Sequence, residues 1–204
     1  MKNNINFRRL ISLMSTSSMS NHNYGNLEII LGCMRSGKTT ELIRKIKRCN
    51  CINKTVLVVS HCSDTRYGKN VVSSHDKVQI DCLSLPILCS VFENDMYKNA
   101  DYVFIEEGQF FDDLVDFCRK AVDIDCKNVV VSALDGDFQR KPFRVIADLI
   151  PLADDYIKLT ALCQICKDGT AGIFSKRICG GTQQKMVGAD EYLSVCRKHY
   201  NNKN

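Results

Sequence analysis

Gly32-Cys33-Met34-Arg35-Ser36-Gly37-Lys38-Thr39 is the stretch on which the fold turns. It satisfies GxxxxGK[ST] in the context that pattern requires. Before it lies the short apolar run 27–31, which reads as a buried strand. After it, Leu42, Ile43 and Ile46 share one face of a helix expected over 39–49, while Arg44, Lys45, Lys47 and Arg48 line the other. Gly32 and Gly37 allow the tight backbone path by which successive amides and a helix amino terminus surround phosphates. Lys38 is placed to reach β- and γ-phosphates, and the Thr39 hydroxyl to bind magnesium. The eight residues 32–39 are thus the expected ATP site.

Working outward, strand-like runs recur at 55–60, 102–105 and 128–133, with helices expected over 86–97 and 112–122. Strands alternating with helices imply a parallel sheet. The expected fold is α/β, with a P-loop (RecA-like) parallel-sheet core and a small C-terminal zinc-binding domain. After about residue 160 the alternation gives way to cysteine pairs, glycines and short strand-like pieces. We therefore divide the chain into a disordered tail (1–26), a nucleotide-binding α/β domain (27–160) and a zinc-binding domain (161–204).

Composition narrows the class. Of 204 residues, 45% are hydrophobic and 25% charged, which excludes wholesale disorder. The net charge of +5 is interspersed rather than striped, favouring anionic small ligands over a nucleic-acid groove. Twelve cysteines without a cleavable leader pattern point to reduced thiols and a metal site, hence to a cytoplasmic setting. The longest apolar runs are strand-sized, so no membrane span is expected.

The apolar run 102–105 ends in Glu106 and Glu107, two carboxylates at the carboxyl end of a buried strand and beside the phosphate loop in such folds. One can hold magnesium while the other accepts a proton from a substrate hydroxyl. Farther on, Cys163 and Cys166 form a CxxC and Cys196 and His199 a CxxH, two tight pairs suited to tetrahedral zinc. A phosphate loop alone leaves small-molecule kinase, helicase-like motor and switch GTPase open. Periodicity alone reads Phe110, Phe138 and Phe143 as core.

GCMRSGKT, DTRY at 64–67, EEGQFF at 106–111, LDGDFQRKPF at 134–143, the CxxC, FSKR at 174–177 and GADEY before Cys196 together resemble the thymidine kinase family of the cellular cytosolic and poxvirus type, over about 27–199. The resemblance implies ATP and thymidine as substrates, magnesium with ATP, a structural zinc and a homotetramer. It makes Glu107 the catalytic base, places Arg66 at the transfer centre, and sets Glu106 and Asp64 with Thr39 near magnesium. Met34, Phe110, Leu134, Phe138 and Phe143 would enclose the pyrimidine, with Ser175 near its methyl group. Met186, Val187 and Gly188, with Tyr192, would read the base edge.

The chain departs from the family pattern at Cys33 (usually proline), Arg35 (usually phenylalanine), Glu106 (usually aspartate), Val187 (usually glycine) and His199 (often cysteine). Two rivals remain: a nucleic-acid-stimulated ATPase with a zinc appendage, and an inactive nucleotide-binding regulatory homologue.

Overall fold

A computed structural model describes residues 24–64, 70–73, 77–179 and 191–202. Residues 1–23, Arg66 and the segment carrying Met186, Val187 and Gly188 lie outside the described residues. The strand expected from residue 27 begins one residue earlier, and the Gly25 amide already donates to the Val122 carbonyl at 2.9 Å.

In chain order the strands are β1 (Asn26–Gly32), β2 (Val56–His61), β3 (Val71–Ser73), β4 (Gln79–Asp81), β5 (Leu83–Leu85), β6 (Tyr102–Glu106), β7 (Asn128–Leu134), β8 (Asp155–Leu159), β9 (Ala161–Leu162), β10 (Ala171–Gly172), β11 (Phe174–Arg177) and β12 (Tyr192–Val195). The α-helices are α1 (Lys38–Cys51), α2 (Asp95–Asn99), α3 (Leu114–Arg119), α4 (Arg144–Leu149) and α5 (Arg197–Asn201). The main sheet has six strands in the order β5-β2-β6-β7-β1-β8, with every neighbouring pair parallel.

Because side chains alternate across a strand, one sheet feeds two cores. Ile29, Ile105 and Val131 face the layer containing Phe117, Ile146 and Leu149 of α3 and α4. Ile30, Phe104 and Val130 face Leu42, Ile43 and Ile46 of α1. Ile46 is fully buried, so truncating it to Ala costs about 2–5 kcal/mol and unseats the helix that starts at the phosphate loop.

Two helices differ from expectation. The 86–97 segment forms a 3₁₀ turn (Leu88–Val91) and then α2, because Asn94 caps a new start by accepting from the Met96 amide at 2.8 Å. The amides of Leu88 and Cys89 are claimed by the Asp113 carboxylate, 3.2 and 2.7 Å away. The 112–122 segment starts as α3 and widens into a π turn (Lys120–Ile124), closed by Lys120 and Tyr97 on Asp125, each at 2.6 Å.

Beyond β8, β9 and β10 form one antiparallel ribbon and β11 and β12 another. Their small core is Cys163, Val195 and Cys196, with Phe174, Leu193 and Tyr200 packed against it. Among the described residues, no helix is long and apolar enough to cross a membrane.

Candidate active site and metal centre

The phosphate loop joins β1 to α1. A Cβ on Gly32 would lie 2.5 Å from Ser36 Oγ and 2.6 Å from the Leu159 carbonyl oxygen, so only glycine fits there. Arg35 and Gly37 take positive φ values of 60° and 86°, curling the loop over the start of the helix. Lys38 is 8% exposed, and its Nζ donates to the Cys33 carbonyl at 2.9 Å, which keeps the ammonium within the loop. From outside, the Cys33 thiol donates to the Gly172 carbonyl at 3.2 Å and the Met34 amide to Ser175 Oγ at 2.9 Å. Burial pushes the Cys33 thiol up, so this cysteine packs and does not react.

Strand β6 delivers Glu106 to the same place: Thr39 Oγ1 donates to Glu106 Oε1 at 2.5 Å. Burial first, and then the neighbouring Glu107 charge, pushes the Glu106 carboxyl up to about 7, against the pull of Ser132, Thr39 and Lys38. Ser132 is near enough to polarise the carboxyl, yet neither its hydroxyl nor Glu106 Oε2 makes a hydrogen bond of ordinary geometry with any described residue. Ser36 Oγ is likewise buried and unpartnered among them. A buried carboxylate oxygen beside a threonine hydroxyl is a donor set of the kind a hard cation takes, so Thr39 and Glu106 would suit magnesium.

Glu107 adopts φ 54°, ψ 44°, a left-handed conformation uncommon for a long side chain and concentrated at functional sites. It ends the strand abruptly. Gln109, 1% exposed, holds it: Nε2 donates to Glu107 Oε2 at 2.5 Å while Oε1 accepts from the Leu134 amide at 3.0 Å. Asp64 follows β2 in a turn closed by its amide on the His61 carbonyl at 2.9 Å.

Of the aromatic residues singled out in the sequence, Phe110 lies 5.9 Å, centroid to centroid, from the His61 ring. Leu134 ends β7, half-buried, and Phe143 is 4% exposed in the core beside Ile146 and Leu149. Phe138 lies under the Arg177 guanidinium at 3.8 Å, and Arg177 Nη2 donates to the Tyr192 hydroxyl at 2.5 Å. Three groupings result: Met34 with Ser175, Glu107 with Gln109 and Leu134, and Phe138 with Arg177 and Tyr192.

The two cysteine-containing pairs converge. The ligand atoms of Cys163, Cys166, Cys196 and His199 all lie within 4.8 Å of one another. His199 Nδ1 is 3.6, 3.3 and 3.4 Å from the sulfurs of Cys163, Cys166 and Cys196, and the last two sulfurs are 3.8 Å apart. Zinc bonds of about 2.3 Å to sulfur and 2.0–2.1 Å to nitrogen put tetrahedral neighbours about 3.5–3.8 Å apart, so this cluster could bind zinc. Burial alone would raise the Cys163 thiol, but the amides of Cys166, Cys196 and Ile165 and the His199 ring outweigh it and bring it down to about 6. Cys166 is pushed up to about 11 by desolvation and then by its thiol neighbours, so loading this cluster with metal releases protons.

Residues 25–200 match the family described as thymidine kinase. The chain is 41% identical over 188 residues to thymidine kinase a of Arabidopsis thaliana, covering 90% of this chain and 78% of the relative. It is 43% identical over 184 residues to thymidine kinase 1 of Dictyostelium discoideum, covering 87% and 78%. It is 42% identical over 179 residues to the thymidine kinase of variola virus, covering 87% and 98%. The chain belongs to the thymidine kinase family.

Membership in the thymidine kinase family makes this an enzyme and matches the resemblance read from the motifs. Two departures from the family pattern are accommodated within contacts already described: Cys33 is anchored on Gly172, and His199 presents Nδ1 to all three sulfurs. Sequence reasoning gave no role to Gln109 or Arg177, although both lie inside quoted motifs. For Gln109 the available signal was an amide two residues after the candidate base. The partners of Arg177 are distant in sequence and left no local signal.

Proposed function

We propose that the chain transfers the γ-phosphoryl group of ATP to the 5′-hydroxyl of thymidine, giving dTMP and ADP, with magnesium required. The carrying observation is the end of β6, where Glu106 meets Thr39 of the phosphate loop and Glu107 is held by Gln109 in a left-handed turn. Thr39, Glu106 and Asp64 would hold the magnesium ion, which when bound neutralises phosphate charge. The amides of residues 32–39 and Lys38 cradle the triphosphate. Glu107 accepts the hydroxyl proton as that oxygen forms its bond to the γ-phosphorus and the bond to the ADP oxygen breaks.

Met34, Phe110, Leu134, Phe138 and Phe143 enclose the pyrimidine, with Ser175 near its methyl group. Tyr192, together with the backbone of Met186, Val187 and Gly188, reads the base edge. Arg66 stabilises the transferring group. Cys163, Cys166, Cys196 and His199 hold a structural zinc, a closed site with no position left for chemistry. Residues 161–204 are then a zinc-stapled unit beside the nucleotide-binding core, and the homotetramer and cytoplasmic setting follow from family likeness.

The test is to incubate purified protein with magnesium, γ-labelled ATP and each nucleoside separately, then resolve the products. Label on thymidine supports the proposal. Phosphate released only when DNA or RNA is added selects a motor, and nucleotide binding without any transfer selects a regulatory homologue.

A further inference from the structure

Residues 137–141 form a small closed loop. Asp137 Oδ1 accepts from the amides of Gln139 and Lys141, both at 2.8 Å, while the Asp137 amide donates to the Lys141 carbonyl and the Arg140 amide to the Asp137 carbonyl, both at 2.9 Å. Such a loop is stiff within itself, but its position must be fixed by something outside it. At Phe138 two contacts do so, and both come from the segment that carries the cysteine–histidine cluster. Arg177 of β11 covers the Phe138 ring at 3.8 Å. Tyr200 of α5 donates its hydroxyl to the Phe138 carbonyl at 2.7 Å.

The Tyr200 contact is reciprocal, because Arg140 returns from the loop to lie over the Tyr200 ring at 4.3 Å. Tyr200 is itself fixed: its ring packs on Phe174 at 5.2 Å, and Lys176 bonds the His199 and Asn202 carbonyls at 2.8 and 3.0 Å, tying α5 to β11. Phe138 is therefore gripped by its ring and by its carbonyl at once, from two neighbouring elements.

We infer that Tyr200 is a positioning residue, whose hydroxyl fixes the 137–141 loop so that Phe138 stands at the thymidine face. This rests on the reading of Phe138 as a wall of the nucleoside slot. Tyr200 does not touch the phosphate loop, so its removal is felt as lost affinity for the nucleoside and not as slower phosphoryl transfer. A neutral hydrogen bond lost from such a site weakens binding about five- to tenfold.

Tyr200→Phe is the test, since it deletes one oxygen and keeps the ring that packs on Phe174 and under Arg140. The expected result is a KM for thymidine raised about five- to tenfold, with kcat and the KM for ATP within about twofold of the parent. Amide exchange should rise in 135–143 and stay unchanged in 32–39. The exchange measurement reads the loop without activity, so it remains decisive if the parent protein phosphorylates no thymidine, a result that would sink the function proposed above and not the hold of Tyr200 on the 137–141 loop. Unchanged exchange in 135–143 overturns the inference, as does a uniform fall in kcat and rise in both KM values, which marks a general structural defect. Tyr200→Trp, which keeps a bulky ring but no hydroxyl at the same reach, should behave as Tyr200→Phe does; parent-like kinetics in it also overturn the inference.

Discussion

Replacing Gln109 by Met tests whether Glu107 is held for chemistry, because methionine nearly matches the volume and removes both hydrogen bonds. The bond to the Glu107 carboxylate is charge-assisted, and such bonds contribute about 1.5–3 kcal/mol. The other leaves the Leu134 amide without its acceptor, at about 1–3 kcal/mol if the group stays dry. Since the two losses share one side chain, we expect about 2–4 kcal/mol in total, or roughly 5–15 °C in Tm for a chain of this size. The kinetic effect should exceed what stability alone explains. A reacting group displaced by about 1 Å costs on the order of 10²-fold in rate, so kcat should fall by one to two orders of magnitude. Nucleotide affinity should hold, because Gln109 makes no bond to the phosphate loop. The assay is steady-state transfer well below the variant's Tm, with nucleotide binding measured by calorimetry on the same preparation. A kcat within about threefold of the parent, at full folding, would refute the claim that Gln109 sets the base.

The remaining predictions concern charge and metal. Glu107→Gln should cut turnover by about 10²–10⁴ while leaving thymidine binding nearly intact, as read by single-turnover transfer and equilibrium binding. Glu106 is raised from an ordinary 4.5 to about 7, so its contribution to stability is fully present below 4.5 and is lost as pH rises through 7. In metal-free protein that loss is at most about 3 kcal/mol, and Glu106→Gln should flatten the Tm–pH curve across this window. Chelation should raise amide exchange first in 161–179 and 191–202, and should weaken nucleotide binding about tenfold as the Cys33–Gly172 and Met34–Ser175 bonds loosen. Exchange that rises first in the main sheet instead would count against zinc as the staple of this segment.

What could be read from the sequence was what is written locally. The phosphate loop announces itself in eight residues, β6 ends in Glu106 with Glu107 directly after it, and each half of the cysteine–histidine cluster spans only four positions. The break in the helix expected over 86–97 was hidden because the apolar period runs on through Asn94, which turns extended and caps a new start through the Met96 amide, while the first turn is capped by Asp113, remote in sequence. The antiparallel ribbon of β3 and β4 was missed because three-residue strands are too short to show a period. Ser175 on Met34 and Tyr200 on Phe138 join residues far apart along the chain, and no spacing rule reaches that distance.

The strand order has one more consequence, for synthesis. Strand β1 carries the first glycine of the phosphate loop, yet its two partners are β7 and β8, more than a hundred residues downstream. At a translation rate of about 5–20 residues per second, the emerging chain exposes this apolar strand unpaired for roughly 5–20 s. During that interval its unsatisfied backbone is a template for wrong pairing, so chaperone demand on the ribosome should centre on residues 26–32 and fall once residues 128–159 have cleared the exit tunnel.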